Sequence, residues 1–412
     1  MTRVLFTAAF ALAILVSVSL HEAGHMLSAK RFGMRVTHYF VGYGPTIFSW
    51  RRGETEYGLK AVPLGGFCRI AGMTAYDDDT APADRHRAMW RFPVWKRTVV
   101  MLSGVAVQFA LAVVALWFAA AYVGVPNLNY PQTAADLAAQ PAAITVGDCV
   151  TPDTARSCTP GDPVSPARAA GLRTGDVITA VGGVPVTDYA GMVRVVRQAE
   201  PGPAQVAYLR DGRPATVRVE LSAVQRPPLD DPAGPVTTVA AIGVGQDVTV
   251  PREVTFGPVG AIGATVTYTG WMAGQTVESV TRIPSKVPAL WHSLTGAERD
   301  PDTPVSVVGI SLLGGEAASL GLWSTVLMIF IGLNVFMVAF NLLPLLPLDG
   351  GHVAIAWFER LRSWVAARRG CPDPGRVDYL KMMPLTYVVL LVGGAFTLLT
   401  VAADLVNPIT LQ

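Results

Sequence analysis

Residues 4–25 read VLFTAAFALAILVSVSLHEAGH, an uncharged run of 17 residues that leads straight into His21-Glu22-Ala23-Gly24-His25. At about 1.5 Å per residue such a run climbs roughly 25 Å as a helix, most of a hydrocarbon core of about 30 Å. The two histidines therefore arrive near the far face of a bilayer. Four residues apart, both imidazoles project from one side of the helix and can grip a single ion, with Glu22 adjacent to take a proton from bound water. Two His and a Glu are costly at membrane depth and are retained there mainly to serve a site. The run follows Arg3, as a cleaved leader would, but it ends on the His pair instead of small residues and a polar start, so it reads as a retained helix.

The rest of the composition agrees with a membrane chain: of 412 residues, 51% are hydrophobic and 15% charged, too apolar for an ordinary soluble enzyme. A net charge of +2, without a basic block interleaved with aromatics, argues against nucleic acid as a partner. Three further stretches have spanning length: Thr98 to about Val125, Leu322 to about Leu346 and Pro384 to about Val406. Basic residues crowd the segment after the first span (Lys30, Arg31, Arg35, Arg51, Arg52, Lys60) and the segment after the third (Arg360, Arg362, Arg368, Arg369). By the positive-inside rule both face the cytoplasm, which places the N-terminus, residues 126–321 and the C-terminus outside.

The expected fold is an α-helical polytopic membrane protein with four transmembrane helices, a membrane-associated β-hairpin or sheet, and an inserted extracytoplasmic PDZ (α+β) domain. In chain order the parts are a first helix with the His pair (1–34), a cytoplasmic or membrane-associated β-loop region (35–97), a second helix (98–125), the extracytoplasmic domain (126–235), a membrane-proximal region (236–321), a third helix ending in Leu348-Asp349-Gly350 (322–352), a cytoplasmic amphipathic segment (353–383), and a fourth helix with the C-terminus (384–412). Glycines, prolines and alternation from Val41 to Phe67 suggest short strands against the membrane or a plain loop. In the outer segment, Ala170-Gly171-Leu172, Gly175-Asp176-Val177-Ile178 and Val181-Gly182-Gly183 precede a helical face at Met192, Val195, Val196 and Ala199. Two alternating runs then flank Asp211-Gly212, a hairpin signal. This order resembles a bacterial PDZ domain over about residues 144–223, which either adds an extracytoplasmic peptide or adaptor as a strand or filters substrates by bulk. Gly257 to Ala289 reads as amphipathic helices and Ala297 to Thr303 as a polar loop. Cys149 and Cys158, on the oxidising side, are either disulfide-bonded or free thiols.

A hydrolytic zinc site takes three protein ligands and leaves a position for water. Span three also runs inward and reaches Asp349 at its inner end, at the depth of the His pair, so His21, His25 and Asp349 form the expected Zn2+ set with Glu22 as the base. Pro344 and Pro347 cannot complete a regular helix, and broken backbone is tolerated where it lines a wet cavity. Asn341 either hydrogen-bonds substrate or packs as a helix amide. His352 reads more readily as a residue that supports a ligand from behind or packs at an interface than as a fourth ligand. A metal transporter would need no Glu beside the His pair, and a PDZ scaffold would need no intramembrane His-Glu-His set.

Taken together, the HEAGH helix, the Asn341 to Gly350 element, Pro63-Leu64-Gly65-Gly66-Phe67 and the single PDZ-like segment resemble the site-2 protease family over nearly the whole chain. Within it the chain looks most like the actinobacterial and mycobacterial regulated intramembrane proteases. The resemblance implies a zinc metalloendopeptidase of a bacterial inner membrane that cleaves the transmembrane segment of single-pass proteins, such as anti-sigma factors already trimmed by another protease. It also implies that Gly65 and Gly66 help bind substrate by strand pairing, and that lipid is a constant partner.

Overall fold

A computed structural model describes residues 2–73, 82–131, 133–151, 158–159, 161–229, 231 and 234–411. The chain forms two compact units, the first comprising Met1–Val125 with Thr255–Gln412 and the second Pro126–Val254. Unit one begins with α1 (Thr2–Arg31), an unbroken helix that carries the HEAGH sequence in its last third. A hairpin of two long strands follows, β1 (Val36–Arg52) and β2 (Thr55–Ile70), antiparallel and repeatedly bulged. Met34, Val36 and Ile70 are fully buried at its base against Met26, Met89 and Met101. Next comes α2 (Val94–Phe118), whose helical course continues to Val123.

Unit two starts at the second residue of the two-residue β3 (Val125–Pro126) and contains α3 (Ala134–Ala138), β4 (Ile144–Val146), α4 (Pro166–Ala169), β5 (Val177–Val181), β6 (Val184–Pro185), α5 (Tyr189–Gln198), β7 (Gly202–Arg210), β8 (Arg213–Arg226), β9 (Thr237–Ala241) and β10 (Val244–Gln246), ending with β11 (Glu253–Val254). Five strands form one sheet in the order β6-β5-β7-β8-β9, and β10 pairs with β4. Asp211 and Gly212 both take positive φ, 52° and 74°, between β7 and β8, as a tight primed turn requires. The Asp188 carboxylate caps α5 by accepting the Gly191 N–H at 2.7 Å, and Met192 and Val196 drop into a core with Ile178, Val206, Val219 and Leu221. The strand at 237–241 belongs to this sheet, so the unit runs to Val254 where a boundary near 235 was expected. Cys149 and Cys158 are disulfide-bonded, with Cα atoms 5.9 Å apart.

Unit one resumes with α6 (Gly257–Leu294), α7 (Val307–Ser319), α8 (Trp323–Asn341), α9 (Asp349–Arg368) and α10 (Tyr379–Val406). Among the described residues, four helices are long and apolar enough to cross a membrane: Thr2–Arg31, Val94–Val123, Trp323–Asn341 and Lys381–Val406. Two expectations need correction. The third apolar helix stops at Asn341, short of Leu346, because Pro344 and Pro347 cannot extend the ladder; Asp349 is the first residue of α9, a separate helix. The turn between them needs its glycines, since a Cβ on Gly350 would strike the Leu342 carbonyl and one on Gly351 would lie 2.6 Å from the Leu345 carbonyl carbon. The loop at Ala297–Thr303 is not simply solvated: Arg299 is buried and pairs with Asp404 of α10 at 2.7 Å. Asp404 also accepts the Ser306 N–H that opens α7, and Arg299 donates to the carbonyls of Pro304 and Asn407.

Removing one partner of a buried pair strands the other. Asp404→Ala should therefore lower the stability of unit one by about 3–5 kcal/mol, read as a fall in thermal midpoint in detergent, whereas Arg299→Met with Asp404→Leu should recover much of the loss. In unit two, burial would raise the Asp176 pKa, but Arg210 at 2.7 Å and the Arg173 N–H at 2.8 Å hold it below the usual carboxylate range. A depressed folded pKa gives stability above the unfolded value of about 3.9 that is lost as pH falls through the folded one. Hydrogen exchange should show unit two loosening as pH drops below about 4, less so in Asp176→Asn.

Candidate metal centre

The HEAGH sequence is helical because nothing in Leu20 to Lys30 interrupts the ladder, and the one glycine, Gly24, is where α2 comes closest. A Cβ on Gly24 would sit 2.7 Å from the Ser103 carbonyl oxygen. On the α2 side, a Cβ on Gly104 would press on His25 Nε2 and lie 2.8 Å from His21 Cε1. Two glycines thus let the helix backbones meet with the imidazoles laid over Gly104. Small residues are how helices approach in lipid, and the Ser28 and Ser103 hydroxyls bond across the same contact at 2.8 Å. Sequence reading missed Gly104 and Ser103; the signal available was a Ser-Gly pair inside an apolar span.

His21, His25 and Asp349 come together from α1 and α9. His25 Nε2 lies 3.1 Å from His21 Nε2, and Asp349 Oδ2 lies 3.3 Å from the first imidazole and 3.4 Å from the second. His25 Nδ1 is 2.8 Å from the Val100 carbonyl oxygen, which only a protonated nitrogen can satisfy, so the Nε2 lone pair is directed inward. Asp349 Oδ2 is buried without a hydrogen bond despite its two close imidazoles. Donors bound tetrahedrally at about 2.0–2.1 Å stand roughly 3.3–3.4 Å from one another. The spacings match that shell, the donors are two nitrogens and a carboxylate oxygen, and the trio is the one such group among the described residues able to hold a metal ion.

Glu22 lies beside the trio, where both imidazoles and Asp349 act on its charge, and it accepts the Cys68 backbone N–H from β2. Gly66 packs over the same side chain: a Cβ there would be 2.8 Å from the Phe40 carbonyl oxygen and 3.6 Å from Glu22 Cγ. Gly65 has φ of 120° and faces the Tyr43 ring, whose hydroxyl donates to the Gly66 carbonyl at 3.0 Å. The Tyr39 hydroxyl donates to the Ser19 carbonyl at 2.7 Å; burial, then the charge of Glu22, pushes its pKa up to about 12, so it remains a donor. Asn341 ends α8, half-buried. His352 is buried on α9 with Gly72, Met89, Arg97 and Met101 around a small cavity and is not among the three converging donors.

Residues 9–370 match peptidase family M50. The chain is 44% identical over 411 residues to the zinc metalloprotease Rip1 of Mycolicibacterium smegmatis, covering 98% of this chain and 97% of the relative. It is equally identical over 409 residues to the zinc metalloprotease Rip1 of Mycobacterium tuberculosis, with the same coverage. With these matches over nearly its whole length, the chain belongs to peptidase family M50, the site-2 proteases, and is a zinc metalloprotease.

Proposed function

We propose that this chain is an intramembrane endopeptidase in which His21, His25 and Asp349 hold the zinc ion and Glu22 is the general base. The carrying observation is the convergence of three buried donors, two on α1, a helix apolar enough to cross a bilayer, and one at the start of α9. Zinc bound there supplies Lewis acidity to the scissile carbonyl and brings the pKa of its water towards neutrality. Glu22 takes the proton from that water and returns it to the leaving amine nitrogen, with the Cys68 N–H orienting its carboxylate. A peptide bond within a helix has its carbonyl already hydrogen-bonded, so the substrate must unwind locally. Gly65 and Gly66 offer the edge on which an unwound segment pairs as a strand, beside Glu22, and Asn341 can hold a backbone group of the same segment.

Substrates on this reading are single-pass membrane proteins, anti-sigma factors already trimmed outside among them, and the output is a transmembrane signal. Unit two acts as a PDZ domain, supported by its sheet, its capped α5 and its disulfide, and selects substrates by peptide or adaptor capture or by bulk. The protein sits in a bacterial inner membrane with both termini outside, as the basic residues flanking the spans require.

The test is zinc per chain measured alongside cleavage of a trimmed single-span substrate. Glu22→Gln keeps zinc while cleavage falls by about 10²-fold or more. Asp349→Ala loses both, and His352→Ala keeps appreciable zinc. Full cleavage by Glu22→Gln would end this reading. Gly104→Ala separates packing from ligation: alanine favours a helix by about 1 kcal/mol over glycine, so the fold should persist while the methyl displaces both imidazoles and zinc content drops.

A further inference from the structure

Helix α9 leaves the metal centre at Asp349 and runs alongside the start of α2: Glu359 pairs with Arg97 at 3.0 Å, and the Trp357 indole N–H donates to the Thr98 hydroxyl at 3.0 Å. Its inner face is closed by His352, Ile355, Ala356 and Glu359, all buried. Its outer face is not. Trp357, Phe358, Leu361 and Trp364 are 53%, 55%, 57% and 47% exposed, and positions 357, 361 and 364 follow the i, i+4, i+7 spacing of one helical stripe. Arg360 borders this stripe on one edge, and Arg362 and Arg369 on the other; Arg368 folds over Trp364 at 4.2 Å and Arg362 over Phe358 at 5.9 Å. Among the described residues none of these four arginines has an acidic partner within salt-bridge distance. Arg362 donates to the Gly375 carbonyl at 2.7 Å and its charge acts on Asp373, whose carboxylate is tied to the Ser363 hydroxyl and the Gly375 N–H.

We propose that this face of α9 docks on the membrane surface at the Lys96-Arg97 end of α2 and binds anionic phospholipid, with Trp357, Leu361 and Trp364 among the acyl chains and the arginines on the phosphates. An aromatic and aliphatic stripe with arginines on both edges is the composition of a helix lying at a charged lipid surface, and Trp357 is held at the level where span two enters the bilayer. Arg360, Arg368 and Arg369, joined by the charge of Arg362, select anionic headgroups over zwitterionic ones. The lipid thereby anchors the helix whose first residue is Asp349. This inference rests on the reading of α2 as a membrane span.

The full chain, with Cys68→Ser and Cys371→Ser and a bimane fluorophore on Leu361→Cys, is reconstituted singly in phosphatidylcholine nanodiscs with or without phosphatidylglycerol. A second preparation carries bimane on Val114→Cys, exposed about two thirds of the way along the helical course 94–123. The expected result is blue-shifted emission at 361, shielding from iodide, and quenching by doxyl-phosphatidylglycerol roughly fivefold stronger than by doxyl-phosphatidylcholine, the scale of one basic residue at an anionic surface. Replacing Arg360, Arg362, Arg368 and Arg369 by Gln should abolish that preference with zinc content unchanged. Iodide-accessible bimane at 361 with lipid-shielded bimane at 114 would overturn the proposal and leave the span intact, whereas iodide access at both would overturn the span itself. Shielding at 361 seen only in discs holding two chains would assign the face to a second copy, and equal quenching by both doxyl lipids would remove the anionic preference; either result overturns it.

Discussion

The close approach of α1 and α2 at Gly24 and Gly104 sets the geometry on which the proposed metal centre depends. In lipid, burying apolar surface gives little drive for two helices to associate, so close backbone packing and a few hydrogen bonds must supply it. Side chains at either glycine would force the helices apart, and the Val100 carbonyl would move out of the 2.8 Å reach of His25 Nδ1. That one contact fixes which imidazole nitrogen carries the proton, and with it the direction of the lone pair that faces His21 and Asp349. A backbone carbonyl serves because α2 is close enough for its own ladder to be touched from outside.

The third donor reports to the same helix. Asp349 opens α9, where the free N–H groups of a helix start favour a negative charge. Further along, α9 is held to α2 through Glu359 with Arg97 and through Trp357 with Thr98. Residues 97–104 of α2 therefore position the His pair from one side and the helix of the carboxylate from the other. The two halves of the donor set lie far apart in the chain but share one local reference, which is how three atoms can converge to 3.1–3.4 Å.

The convergence of the three proposed donors could be anticipated because each obeys a local rule: the i, i+4 spacing of His21 and His25, the polar set inside an apolar run, and an Asp placed after helix-breaking prolines at matching depth. What was not legible depends on contacts between distant segments. Gly104 in an apolar span reads as one small residue among many until the imidazoles are seen above it. Arg299 in a polar stretch gives no sign that Asp404 waits in α10. Gly257 to Ala289 read as several amphipathic helices, yet α6 runs through Pro284 and Pro288 as a single helix of 38 residues. The LDG element was assigned to the end of span three because its depth was right; that it instead starts a new helix follows from Gly350 and Gly351 passing under the Leu342 and Leu345 carbonyls, a contact no periodicity encodes.

The hairpin ties the proposed base to the proposed substrate edge. β2 contributes the Cys68 N–H that Glu22 accepts, and two residues earlier it contributes Gly66, whose missing side chain leaves room for the Phe40 carbonyl beside Glu22. Tyr43 holds the Gly66 carbonyl, and Tyr39 fastens β1 to the Ser19 carbonyl just before the proposed metal ligands. A strand that paired with the Gly65-Gly66 edge would order the same stretch of backbone that aims the carboxylate. Substrate docking and alignment of the base then become one event on one strand, and an enzyme lacking a docked strand would hold its base less firmly, which favours hydrolysis of peptide already unwound into the site over attack by stray water on anything else.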